Sequence, residues 1–220
     1  MSNIRIGIVD DHTLMRSGLR IMLESVPDFN VVGEAANAVQ AYDMLANNSP
    51  EVILMDWSMP GENGLDVTRR LTREKSPARV IIVSMYDSAG FVRQAKLAGA
   101  AGYVVKGRSS DQLVDTIRQV ASGASFVCPT KVDEPIPANA SGSANQLDQL
   151  TTRQIEILRL LAIGRSNREI AETLYIAEKT VEHHKSNIKR ELGISESARL
   201  VLFAVKHGLV RLDELETGRE

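Results

Sequence analysis

Short apolar runs recur along the first 125 positions and then stop. Residues 4–9 (IRIGIV), 52–55 (VILM), 80–83 (VIIV) and, more weakly, 103–105 (YVV) are brief and almost unbroken by polar residues. Such runs suit strands buried on both faces, as in a parallel sheet. Residues 30–33 (NVVG) supply one more candidate. Between them, residues 14–24, 38–47, 65–73, 91–98 and 113–121 repeat apolar positions at the helical period. The alternation predicts an α/β fold, a doubly wound sheet with helices on both faces.

The texture changes after Phe126. The stretch CPTKVDEPIPANASGSANQ is rich in Pro, Gly, Ser, Ala and Asn and carries no period, so residues 127–146 read as a linker, partly semi-rigid and partly flexible. From Leu150 the pattern is helical throughout, in ILRLLA (157–162), EIAETL (169–174), TVEHHKSNIKREL (180–192) and ARLVLFAVKHG (198–208). The expected organisation is an α/β domain over residues 1–126, the linker, and a small all-α domain over 147–220. The length of 220 residues and a hydrophobic content of 43% allow two proper cores. With a net charge of -2 the whole chain is no nucleic-acid coat, so any such contact requires a local basic patch. A single cysteine, Cys128, fits a reducing compartment. No stretch approaches the roughly 20 apolar residues of a spanning helix, and a cytoplasmic protein with no membrane partner is expected.

In open α/β sheets ligands bind beyond the carboxyl ends of the strands. That edge collects Asp10 and Asp11 after the first run, Asp56 after the third, Ser84 after the fourth and Lys106 after the fifth. In ILMDWSMPG, the carboxylate of Asp56 follows an apolar run with no cation beside it in sequence, which is costly unless something binds it. Three carboxylates gathered at one edge suit a hard divalent cation, and Mg²⁺ favours such oxygen ligands with retained waters. Lys106 adds a counter-charge and Ser84 a neutral hydroxyl.

Asp10-Asp11, Asp56, the Met59-Pro60-Gly61 turn with Gly64, Ser84, and Gly102-Tyr103 with Lys106 resemble a response-regulator receiver domain over roughly residues 3–125. The resemblance implies a flavodoxin-like five-stranded sheet in the order 2-1-3-4-5. It implies Asp56 as phosphoacceptor, and Mg²⁺ bound by Asp11, Asp56 and the Ser58 carbonyl, with Asp10 joining directly or through water. Lys106 would neutralise a phosphoryl oxygen. Ser84 and Tyr103 match the family's switch pair, the hydroxyl moving to the phosphoryl group and the ring turning inward behind it. Gly107 stands where many receivers carry proline, so no fixed cis bond is expected. Gly90, near the start of the fourth helix, should leave that end loosely formed.

In the C-terminal part, Thr151 with Gln154 and Ser166 with Glu169 have the spacing of capping boxes. Two short helices around Tyr175-Ile176-Ala177 read as a helix-turn-helix, with Ile170, Ala171, Leu174, Ile176, Val181, Ile188 and Leu192 spaced to form its core. Lys179, Glu182, His183 and Ser186 share the face opposite the apolar stripe, the face such proteins place in the major groove. Lys189 and Arg190 are better placed for phosphates. His183 and His184, being adjacent, point apart and make no paired metal site. LTTRQIEIL, GRSNREIAETLYIAEKTVEHHKSNI and KRELGI resemble the LuxR-type helix-turn-helix of NarL/FixJ-type response regulators over about residues 147–210. The resemblance extends the DNA-contacting set to Asn167, Arg168, Thr180 and Lys185. Three residues depart from it: Gln154 where Glu is usual, Ala177 where a Ser caps the recognition helix, and Glu182 where a Lys is frequent. Glu182 can accept a hydrogen bond from cytosine.

The expected function is therefore a two-component response regulator, phosphorylated on Asp56 by a sensor histidine kinase and binding promoter half-sites in double-stranded DNA. Val201 and Val205, four apart on the last helix, are expected to meet their copies in a homodimer formed on phosphorylation. The alternative is a DNA-binding regulator whose receiver answers a ligand or protein partner without phosphorylation. A turnover phosphatase is disfavoured, because Ser58 stands where the general acid, two residues past Asp56, would be required.

Overall fold

The computed structural model describes residues 3–129 except 60 and 88, and residues 146–210 except 148. The linker expected over 127–146 thus lies, from 130 to 145, outside the described residues, as does Pro60 of the turn. The chain forms two compact units.

In the first, five strands make one parallel sheet: β1 (Ile4–Val9), β2 (Phe29–Ala35), β3 (Val52–Asp56), β4 (Arg79–Ser84) and β5 (Gly102–Val105), ordered β2-β1-β3-β4-β5. Helices α1 (Thr13–Glu24), α2 (Ala38–Asn48), α3 (Gly64–Arg73), α4 (Ala89–Leu97) and α5 (Ser110–Ala121) connect them. The apolar runs are continuous because the strands are covered on both sides; every residue of central β3 is buried. One core brings Ile6, Ile8, Leu54, Ile81 and Val83 of the sheet against Leu23 of α1 and Leu113, Ile117 and Val120 of α5. Each such side chain withdrawn from water contributes roughly 1.5–3 kcal/mol.

Polar caps set where the helices begin. The side chain of Asn37 accepts from Gln40 N–H, that of Asn63 from Asp66 N–H and that of Ser109 from Asp111 N–H. Ser109 therefore starts α5 three residues before the apolar period shows it. Gly90 falls in the first turn of α4. Val127, counted with the linker above, still belongs to the edge of the sheet. Its N–H donates to Ala101 and its carbonyl accepts from Tyr103 N–H.

The second unit is helical: α6 (Thr152–Ala162), α7 (Asn167–Thr173), α8 (Glu178–Leu192) and α9 (Ser197–Lys206). Both capping boxes form, each with its two reciprocal bonds. Ile155, Leu158, Ile170, Val181, Ile188, Leu200 and Ala204 are buried in its core. Among the described residues, no helix is long and apolar enough to cross a membrane.

Candidate functional site

The carboxyl ends of β1, β3 and β5 deliver Asp10, Asp11, Asp56 and Lys106 to one place. The Lys106 ammonium lies 2.9 Å from Asp10 Oδ2 and 2.9 Å from Asp56 Oδ1. Asp10 is 1% exposed, Asp56 4% and the Lys106 side chain 5%, so this triad is almost dry. Asp56 Oδ2 is buried with no hydrogen-bond partner. Ligand atoms of Asp10, Asp11, His12 and Asp56 all lie within 4.8 Å of one another. Ser58 is half-buried and its N–H reaches towards Asp56 Oδ1 at 3.4 Å.

Electrostatics follow from that geometry. Burial pushes the pKa of Asp56 up to about 6; Lys106 pulls it down, while the Asp10 and Asp11 charges add to the rise. Burial works against the charge of Lys106 too, yet Asp56 and Asp10 together hold its pKa above the ordinary value. One ammonium among three carboxylates leaves a net negative, partly unsatisfied cavity, and such a site attracts a cation.

The backbone around Asp56 is fixed by close packing. Gly64 N–H donates to the Trp57 carbonyl at 3.1 Å. A β-carbon at position 64 would stand 1.8 Å from the Asp56 carbonyl oxygen, so α3 starts on a glycine because nothing larger fits. Trp57, fully buried, meets Tyr86 edge to face at 6.4 Å. Ser84 is 1% exposed and its hydroxyl accepts from Tyr86 N–H at 3.2 Å. Tyr103 is also inside, at 0% exposure, with its hydroxyl donating to the Tyr86 carbonyl at 2.6 Å. The inward ring position that the resemblance attaches to the switched state is thus the one described here. Burial raises the Tyr103 pKa far above that of a free phenol, so the hydroxyl keeps its proton and donates it to the Tyr86 carbonyl.

In the helical unit, Tyr175 takes φ +53 at the end of α7 and turns the chain into α8. Ala177 holds the N-cap of α8 without a side-chain cap bond. Lys179, Thr180, Glu182, His183, Ser186 and Arg190 are exposed on α8, while Lys189 is half-buried. Lys185 is less free than its charge suggests, because its ammonium donates to Asn167 Oδ1 at 2.8 Å and ties α8 to the start of α7. Arg168 pairs with Glu172 on an exposed helix face. Gln154, the departure from the expected Glu, is 3% exposed; its amide donates to Glu191 Oε2 at 2.7 Å and its oxygen accepts from Thr151 N–H. Val201 and Val205 are half-buried.

Three residues were not singled out from sequence. His12 follows the Asp pair directly and joins its cluster. Asn187 contacts His183 Nε2 at 3.0 Å and accepts from Arg190 at 2.8 Å, linking two residues of the exposed face at helical spacings of four and three. Leu202 is 68% exposed between the two half-buried valines, a position the apolar run itself could have marked.

Residues 6–118 match the family described as response regulator receiver domain, and residues 148–204 match bacterial regulatory proteins of the luxR family. The chain is 37% identical over 207 residues to the transcriptional regulatory protein MctR of Rhizobium johnstonii, spanning 94% of this chain and 95% of MctR. Among solved structures it resembles the response regulator ChrA of a heme-sensing two-component system. There the TM-score is 0.51 at 30% identity, over 96% of this chain and 100% of ChrA. It also resembles RcsB from Salmonella enterica serovar Typhimurium, solved bound to promoter rprA in the presence of the phosphomimetic BeF₃⁻. That likeness has a TM-score of 0.61 at 25% identity, over 92% of this chain and 98% of RcsB.

Proposed function

Since this chain belongs to the two-component response regulators that join a receiver domain to a luxR-family DNA-binding domain, we propose that Asp56 accepts a phosphoryl group from a sensor histidine kinase. The acyl phosphate then controls how α6–α9 bind promoter DNA. The observation that carries the assignment is Lys106 bridging Asp10 and Asp56 at 2.9 Å to each in a dry pocket. The contact supports the reading because a carboxylate nucleophile works best with a cation for the incoming oxygens already beside it.

The donor chemistry fits the groups present. An Asp56 carboxylate oxygen forms a bond to phosphorus as the phosphorus–nitrogen bond of the kinase phosphohistidine breaks, and the leaving imidazole takes up a proton from solvent. Lys106 stabilises the equatorial oxygens, and the Ser84 hydroxyl lies at the adjoining strand end to bond one of them. The donor set fits Mg²⁺: clustered carboxylate oxygens, one of them buried with no partner on Asp56. Asp11, Asp56 and the Ser58 carbonyl would hold it, with Asp10 direct or through water. When bound, it supplies neutralisation of the carboxylates and of charge on the transferring group.

For the output, Lys179, Glu182, His183 and Ser186 read base edges, while Lys189, Arg190, Asn167, Arg168, Thr180 and Lys185 position the helix on phosphates. Phosphorylation favours a homodimer through the Val201–Val205 face of α9, in a cytoplasmic protein that regulates rather than turns over substrate. Intact-mass measurement after incubation with Mg²⁺ and a small phosphodonor should show one added phosphoryl group on the wild type and none on Asp56→Asn. Equal modification of that variant would remove Asp56 from the role.

A further inference from the structure

Along α8, His183, Asn187 and Arg190 stand at spacings of four and three, which puts them on one face of the helix. Arg190 Nη2 lies 2.8 Å from Asn187 Oδ1, and Asn187 Nδ2 lies 3.0 Å from His183 Nε2. The two contacts fix each other's direction. A guanidinium offers donors only, so the Asn187 group that faces Arg190 is its oxygen. The group left for the ring is the NH₂, which also only donates. His183 Nε2 must therefore accept, and in a neutral imidazole the proton then sits on Nδ1.

His183 is exposed, and its Nδ1 has no hydrogen-bond partner among the described residues. What the ring offers a ligand is thus an N–H. In the major groove that donor matches guanine, whose N7 and O6 both accept, and opposes cytosine, which shows the N4 amino donor. The exposed Glu182 beside it is the complement, because a carboxylate only accepts and cytosine N4 suits it. Neighbouring residues of the helix thereby ask for opposite members of G·C pairs. Arg190 keeps its remaining N–H donors for a phosphate. One amide joins a contact that positions to a contact that specifies.

We propose that Asn187 is a positioning residue for DNA recognition. Held by Arg190, it fixes the orientation and tautomer of His183, and the promoter half-site carries guanine where this ring meets it. The proposal rests on the placement of α8 in the major groove and adds the base it selects and the residue that sets the choice.

The test uses full-length protein labelled with ¹⁵N-histidine, in mildly alkaline buffer where imidazoles are neutral. Long-range ¹H–¹⁵N correlations give the tautomer of each ring, and the signals lost in His183→Gln assign this one. Wild type should carry the proton on Nδ1. Asn187→Asp keeps an acceptor for Arg190 but turns a second acceptor towards the ring, so the proton should move to Nε2. Base choice is read by selecting random-sequence duplexes with the same proteins, a small phosphodonor being present. Wild type should enrich guanine over cytosine at one position of each half-site by about fivefold or more. His183→Ala should lose that preference, and Asn187→Asp should reverse it. The new carboxylate weakens all sites alike, which leaves the ratio readable. A wild-type ring protonated on Nε2 would overturn the proposal, as would an Asn187→Asp protein that still prefers guanine; both results leave α8 in the groove. If no duplex is enriched, or His183→Ala and Glu182→Ala change no position, the groove assignment itself fails and this proposal with it.

Discussion

At Asp56 the fold works against its own carboxylate. A pKa raised from 3.8 to about 6 means that the folded receiver prefers the protonated form. The sign is fixed by linkage: the contribution to stability is complete below the unfolded value near 3.8 and is lost as pH rises through 6. That difference corresponds to roughly 3 kcal/mol. Without divalent cations, Asp56→Asn should therefore raise the melting temperature of the receiver at pH 7.5, and the gain should vanish near pH 4. Thermal unfolding across that range in a chelating buffer checks it; a gain unchanged between the two ends would contradict it. Gln154 gives the opposite case. Replacing it with the family's usual Glu keeps the acceptor for Thr151 N–H but loses the donor to Glu191, setting two carboxylates together at a site 3% exposed. Gln154→Glu should cost about 1–3 kcal/mol in urea unfolding of the helical unit at neutral pH, and less in acid. A cost independent of pH would point to packing instead. The sequence showed Gln154 as a departure from a pattern; its partner 37 positions away became visible only in the fold. Lys106 was legible as a counter-charge in the same partial way. Its length and strand end were evident, whereas its equal approach to Asp10 and Asp56 depends on how three strands align.

Among the elements, α8 shows most clearly what local rules decide. Its basic positions and apolar stripe were plain from the 3.6-residue period, and the missing cap at Ala177 from the departure it makes from the family resemblance. That residue already has extended backbone angles, φ -75 and ψ 147, so a hydroxyl there needs no rearrangement. Ala177→Ser should stabilise the helical unit by about 1 kcal/mol, read as a shift of the denaturant midpoint with unchanged slope. A shift in the other direction would mean that the side chain finds another partner. For DNA, Lys189→Ala should weaken specific and non-specific sites alike and lower the log–log salt slope by about 1. Glu182→Ala should alter base preference instead. Period analysis could not show that Lys185 is engaged by Asn167, nor that Asn187 links His183 to Arg190. Those bonds depend on rotamers and on a neighbouring helix, which sequence spacing does not specify. The strands were legible because burial on both faces leaves only apolar choices. The start of α5 was not, since Ser109 caps it before any apolar residue appears.

For the whole molecule, the sequence divided cleanly where apolar strands give way to helices, because the two cores need different periods. How copies of the chain meet was less legible. The run at Leu200–Val205 suggested Val201 and Val205, yet Leu202 is the most exposed large apolar residue of that helix at 68%. A dimer formed along α9 would bury it. Leu202→Glu should then leave Asp56 phosphorylation and the unfolding midpoint unchanged while abolishing cooperative occupancy of paired half-sites about one helical turn apart. Val201→Glu should do the same with some loss of stability. Sedimentation of the phosphorylated protein and titration on paired sites decide the matter, and wild-type cooperativity in Leu202→Glu would take α9 out of the interface.

The chain has one tryptophan, Trp57, sealed from water beside Asp56 and edge-on to Tyr86. Light absorbed at the red edge of the indole band therefore reports from a single place, next to the carboxylate, and the DNA-binding half emits nothing at that wavelength. Arrival of a cation or a phosphoryl group can be timed in a stopped-flow mixer with no label attached. The same silence of the helical unit makes the reporter directional. If promoter DNA added to the phosphorylated protein changes indole emission, the signal has travelled from the helices to the pocket. Thermodynamic reciprocity then requires that the pocket's occupant alters DNA affinity by the same factor.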